Sequence, residues 1–267
     1  MPATRHRSPR ADAAEPRGSR KAPPRSLETP GAARPGSEAA ASPRQAPSPA
    51  DRARHDRGAE TRRRLIEAGL DVFGRLGFEG ATTRMIAKEA GANLAAIVYH
   101  FGSKEALHLA VAEHIVASIR SRIGPGLATA SVPETTASPA AARAAFERLI
   151  EAFIEVILGS AEAERWARFL IREQLQPTPS FEIIYGFMGP AQTIGSRLVA
   201  AALGRPESEE TRLRVLTFMG QVMVFRVAQE MVLRRMGWTA IGKAERAAIR
   251  KMVIAQINAV LDREARR

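Results

Sequence analysis

Apolar residues along most of this 267-residue chain recur every three or four positions, the period of a helix buried on one face. Leu65, Ala68, Val72, Phe73 and Leu76 predict a helix over 60–76, with Gly77 as a left-handed stop. A short helix capped by Thr82 or Thr83 runs to Ala90 and ends at Gly91. Asn93 caps the next, over 94–101. Ser103, with Glu105 close behind, starts a third that reaches about position 123. Gly124-Pro125-Gly126 predicts a break, and the Pro/Ser/Thr/Ala-rich stretch 125–140 a mobile connection. Five more helices follow, over 141–158, 161–176, 181–203, 208–235 and 243–265. No strand-like alternation of useful length and no internal repeat interrupts them, so the expected fold class is all-α.

Residues 1–58 break the pattern. They hold ten of the 17 prolines and almost no large apolar side chain. Such a segment cannot bury enough surface to offset its ordering entropy, so it is expected to be disordered. It carries 12 Arg/Lys against 6 Asp/Glu, half of the chain's net charge of +12. The tail is then either a sequence-independent DNA tether or a solvated Arg-rich extension. The expected domains are this tail (1–58), a small helical unit (59–123) and a larger helical body (124–267).

The net charge favours a polyanionic partner without bearing on fold. There is no cysteine, which excludes disulfides, thiol nucleophiles and Cys-ligated metals and fits a reducing cytoplasm. No apolar run reaches the roughly 18–20 residues of a membrane span, and the N-terminus lacks the apolar core of an export signal. The five histidines form no His-Glu-x-x-His pair, and no Gly-x-Ser-x-Gly elbow or phosphate loop occurs. An enzyme, a metal site and a cofactor are therefore not expected.

The segment 82–104 carries the most specific chemistry. A helix-turn-helix needs a small residue where its second helix crosses the first, a glycine in the turn, and a branched apolar residue locking the second helix down. Ala87, Gly91 and Ile97 stand at those offsets, supported by Ile86, Ala90 and Phe101. The string Tyr99-His100-Phe101-Gly102-Ser103-Lys104-Glu105 closes the unit. Together these features resemble the TetR family of bacterial regulators over roughly residues 60–107. Ala95-Ala96-Ile97-Val98-Tyr99-His100-Phe101-Gly102-Ser103-Lys104, with Arg172-Glu173-Gln174 ahead of Pro177-Thr178 and Phe181, is similar to the CecR-type (YbiH-like) branch.

Each position has its own chemistry beside that resemblance. Thr83 offers a hydroxyl at a helix N-terminus to a phosphate oxygen. Arg84 reaches guanine or phosphate, and Asn93 flanks the reading helix. Tyr99 and His100 carry polar tips suited to phosphate, and Lys104 an ammonium beside the backbone. The base-reading positions are expected at Leu94, Ala95 and Ala96, whose apolar surfaces pack on thymine methyls. Val98 stands where many family members place an aromatic phosphate contact.

The resemblance also implies a C-terminal domain for ligand binding and dimerisation. The helices over 208–235 and 243–265 have broad apolar faces suited to a four-helix interface between two copies. Trp166, Phe169, Phe187, Met188, Met219 and Met223 are either pocket lining or plain core. Arg172 and Glu173, in an apolar helix, either form a structural ion pair or leave Arg172 to hold an anionic ligand. The function expected is a repressor that binds a palindromic double-stranded DNA operator as a homodimer and is released by a small molecule. The other readings are an activator of the same family and a non-specific DNA-binding structural protein.

Overall fold

The computed structural model describes residues 49–266, with side chains from Asp56; the expected disordered tail up to position 48 lies outside the described residues. Helix α1 spans Pro49–Gly80 and begins well before position 60. Pro49 is the tail's last proline, so every later backbone N–H in this helix can bond, and proline itself suits a first turn. At Gly77 the backbone turns to φ 74°, but the chain resumes a helical turn to Gly80. The expected stop is a bend.

Helices α2 (Thr83–Glu89), α3 (Leu94–Phe101) and α4 (Lys104–Ala130) follow. Thr82 caps α2 by accepting from the Met85 N–H, Asn93 caps α3 from Ala95, and Ser103 caps α4 from Ala106. Gly91 takes φ 58° in the turn, a conformation that disfavours any side chain. Ile86, Ala87, Ala90 and Ile97 are buried against Leu65 and Ala68 of α1 and Leu107 of α4.

The break expected at Gly124-Pro125-Gly126 does not occur. Helix α4 continues through Pro125 to Ala130. Burial outweighs the proline: Ile119, Ile123 and Ala130 are all in the core. The Thr129 and Ser131 hydroxyls donate to the Pro125 and Leu127 carbonyls, occupying acceptors near the helix end. The expected mobile connection is an ordered 3₁₀ turn, Pro133–Thr136, pinned by the buried Thr135 hydroxyl, which donates to the Ala130 and Val132 carbonyls.

The body continues with α5 (Pro139–Leu158), α6 (Ala161–Leu175), α7 (Pro179–Ala202), α8 (Glu209–Val227), α9 (Gln229–Met236) and α10 (Lys243–Ala265). The single helix expected over 208–235 is two, α8 and α9, meeting at 76°. The buried Arg226 guanidinium sits at the joint. It donates twice to the Ile157 carbonyl, in the last turn of α5, and once to Gln229, which opens α9. Among the described residues there is no strand, and no single helix is long and apolar enough to cross a membrane.

Candidate nucleic-acid interface and effector cavity

Helix α3 is eight residues long with one buried side chain, Ile97. At about 100° per residue, Ala95 and Tyr99 point directly away from Ile97. Tyr99 is 84% exposed and stands one turn beyond Ala95, so the outward ridge of the helix is these two residues with Val98 beside them. Leu94 is 44% exposed at the helix start. Ala96 is half-buried and packs against the core, which leaves it at the edge of the face expected to read bases. His100 is half-buried, edge-on to the Tyr99 ring at 4.9 Å. The Asn93 side chain is exposed, but its oxygen is engaged by the Ala95 N–H.

Thr83 and Arg84 open α2 beside this face; Arg84 is exposed and Thr83 half-buried. Lys104 departs from expectation. Its ammonium turns inward, donates to the Phe78 and Ala81 carbonyls at 3.0 and 3.2 Å, and lies 4.2 Å from the Phe78 ring centroid. Those carbonyls lie in the last turn of α1 and just after it, where the helix supplies no further N–H, so this lysine closes the joint between α1 and α2. Arg62 lies 5.1 Å over the Phe101 ring and places another cation beside α3. In the sequence, Arg62, Arg63 and Arg64 read equally as a hint of nearby phosphate and as a solvated charge cluster at a helix start; α1 begins at Pro49, so they stand within the helix.

The body encloses a cavity of about 360 Å³ among α4, α5, α6, α7 and α8. Of the residues expected to line it, Phe187, Met188, Met219 and Met223 do. Trp166, Phe169 and Arg172 do not. Trp166 is core, with the Arg122 guanidinium 4.5 Å over its ring. Phe169 faces α1 and α4, where it packs 4.8 Å from His108. Arg172 donates to the Gly74 and Arg75 carbonyls of α1. Phe146 and Phe153 of α5, with Gln174 of α6 and Gln192 of α7, are lining residues that periodicity could not separate from core.

Helix α6 therefore has two working faces. One carries Ala167, Leu170, Ile171 and Gln174 into the cavity. The other grips the reading head: Arg165 pairs with Glu67 and Asp71, and Arg172 holds the α1 carbonyls before the bend. At Gly74 a Cβ would come within 3.3 Å of Arg168, so the two helices touch closely there.

Arg172 and Glu173 do not pair with each other as the sequence allowed. Glu173 accepts from the Thr178 N–H and hydroxyl and lies 3.6 Å from His108 Nε2. His108 Nδ1 is 2.7 Å from the Ser180 hydroxyl. The imidazole is boxed by Phe73, Phe78 and Phe169. Burial, with a smaller effect of the Lys104 charge, lowers its pKa from 6.5 to about 4. Ser180, His108 and Glu173 line up as a nucleophile relay would, but Ser180 is 0% exposed and no substrate can meet it. The cluster ties α4, α6 and α7 to α1.

Two family models match the chain. That of the bacterial regulatory proteins of the tetR family matches residues 65–111, and that of the C-terminal domain of the HTH-type transcriptional dual regulator CecR matches residues 142–262. The chain is 35% identical to the HTH-type transcriptional dual regulator CecR of Shigella flexneri over 211 residues, 77% of this chain and 93% of that protein. Among solved structures it is similar to AibR in complex with isovaleryl coenzyme A and operator DNA, with TM-score 0.56, 12% identity, and coverage of 74% of this chain and 97% of that one. It is also similar to FadR from Bacillus subtilis in complex with stearoyl-CoA, with TM-score 0.51, 13% identity, and coverage of 73% and 96%.

Proposed function

This chain belongs to the TetR family of transcriptional regulators, in its CecR-type branch, and we propose that it is a ligand-released repressor that binds a palindromic operator as a homodimer. One observation carries the reading: the helices that line the cavity also hold the reading head. Helix α4 brings Ile119 and Ile123 to the cavity and Leu107 and His108 to the head; α6 does the same with its two faces. A ligand that prefers one arrangement of these helices shifts the spacing of the heads.

DNA is read by the outward ridge of α3. Leu94 and Ala95 pack on thymine methyls, Tyr99 and Arg84 reach phosphate or guanine, and Thr83, Asn93, Ala96 and His100 complete the margin. Lys104 supports this surface from behind. Dimerisation supplies two heads about 34–36 Å apart, one helical turn of DNA. The outer face of α8 supports it: Leu213, Leu216, Val224 and Val227 are exposed in the single chain, with Met252 exposed on α10. AibR and FadR, whose structures hold acyl-coenzyme A ligands, support an apolar cavity filled by the acyl part of a ligand.

Selection of sites from random duplexes by the full-length protein tests this. The expected outcome is a palindrome with A·T-rich steps under Leu94 and Ala95, bound by a dimer in sedimentation, and released in a subsequent ligand screen. A monomer at micromolar concentration, or salt-sensitive binding with no sequence preference, refutes it. The Shigella flexneri relative is called a dual regulator, which favours a second reading, activation at some promoters. Transcription in vitro with the selected site moved relative to the promoter separates the two.

A further inference from the structure

The wall that α8 gives the cavity runs into the face that α8 turns outward. Val215, Leu216, Met219, Gly220 and Met223 line the cavity. Leu213, Leu216, Gly220, Val224 and Val227 are exposed in the single chain. At about 100° per residue, those five outward positions fall within roughly 80° of one another, and Met223 stands about 20° beyond their edge. Leu216 and Gly220 belong to both sets, so the cavity reaches the outward face between them. Gly220 adds no side chain to the wall, and a Cβ placed there would meet nothing within 4 Å. One stretch of helix thus separates an apolar chamber from an apolar surface, and its thinnest point is a glycine.

We propose that a second copy of the chain closes the cavity at Leu216 and Gly220, so that each effector site is built from both subunits. This rests on reading the cavity as the effector site and the protein as a homodimer. A second copy is the occupant that the face fits. Over 213–227 the exposed residues of α8 are Leu213, Leu216, Thr217, Gly220, Val224 and Val227, with no charge among them. Such a stripe matches itself about a two-fold axis and offers a charged partner nothing to pair with. An apolar side chain of the facing subunit fills the space beside Gly220 and touches whatever occupies the cavity. A bound molecule then buries part of its surface against the second copy. Occupancy favours the dimer, and the dimer favours occupancy by the same factor. DNA is released by an intact dimer whose heads change spacing, and the subunits stay together.

N-phenyl-1-naphthylamine, an uncharged apolar fluorophore, serves as the probe. Fluorescence titration of the full-length protein gives its affinity, and sedimentation velocity follows the subunit equilibrium with and without it. Val224→Arg charges the outward face without touching the cavity lining and yields a monomer. Leu213→Glu does the same from another turn if the first variant does not fold. The parent is expected as a dimer whose dissociation constant falls about tenfold with the probe, and the folded monomeric variant binds the probe about tenfold more weakly. In that monomer Gly220→Leu supplies part of the missing wall and restores most of the lost affinity. A monomeric variant that binds the probe as the parent does overturns the inference and leaves the dimer standing. So does a probe that leaves the subunit equilibrium unchanged or splits the dimer. No recovery in V224R/G220L overturns it as well, since the coupling then runs through helix shifts and not through contact at Gly220. A parent that sediments as a monomer at every concentration removes the homodimer and the inference with it, and a parent dimer that takes up no probe removes the effector cavity.

Discussion

Tyr99 and Lys104 stand five residues apart at the end of the reading unit and do opposite work. The tyrosine ring is out in solvent, while the lysine ammonium is spent on two backbone carbonyls. Their substitutions should separate cleanly. Tyr99→Ala weakens operator binding about tenfold, the worth of one well-placed contact, and leaves the melting temperature alone. Lys104→Met lowers the melting temperature, because Phe78 and Ala81 lose their donor, and leaves the salt dependence of DNA binding unchanged. Arg84→Ala reduces that salt slope by about one phosphate's worth. Anisotropy titrations across a salt series, beside thermal melts, check all three. A flatter salt slope for Lys104→Met with an unchanged melt would return Lys104 to the phosphate surface. The sequence could not choose between these roles. A lysine at a helix start offers the same charge whether its stem lies outward or along Phe78, and the carbonyls left open at the end of α1 decide.

At the scale of elements, helix starts with a side-chain cap were legible, whereas the starts of α1 and α9 and the breaks were not. Ser and Thr caps and the glycine turn act through bonds two or three residues away, which a sequence displays. Breaks depend on what a proline or glycine is packed against. Pro125 sits inside α4 because Ile119, Ile123 and Ala130 bury that helix on either side of it. The helix there lacks one backbone bond, so Pro125→Ala stabilises the protein by roughly 1–3 kcal/mol, read from urea unfolding. A destabilised variant would show that the proline's geometry is needed. The joint of α8 and α9 was hidden for the opposite reason: no glycine or proline marks it, and the buried Arg226 makes it. The two faces of α6 were also hidden, since Phe169 and Leu170 look alike in a helical stripe. Only packing sends one to α1 and the other to the cavity. Arg172→Met tests the outer face. Its ligand affinity is unchanged, but ligand shifts operator affinity less than in the parent. Equal coupling in both would assign transmission to α4 alone.

For the described body as a whole, the His108 cluster is where the reading head and the larger helical body meet. Four helices reach it: α1 with Phe73 and Phe78, α4 with His108 and Lys104, α6 with Phe169 and Glu173, and α7 with Ser180. Glu173 at 3.6 Å is beyond hydrogen-bond length from Nε2 and does not offset the burial that lowers the imidazole pKa to about 4. The folded protein thus keeps His108 neutral down to that pH, while the unfolded chain protonates it below about 6.5. As pH falls through that window the unfolded state binds the extra proton, so stability is lost, and above it His108 makes no difference. Between pH 7.5 and pH 5 the loss is about 2 kcal/mol. Glu67 and His114 also face each other across the same helices, 3.4 Å apart. The His108→Gln variant isolates the term, because those groups remain in both proteins. Urea unfolding at the two pH values should show a parent that weakens more than the variant by that amount. Equal pH dependence would mean that the imidazole is already charged in the folded state and paired with Glu173. The junction would then be an ion pair between α4 and α6 instead of a neutral hydrogen-bonded cluster.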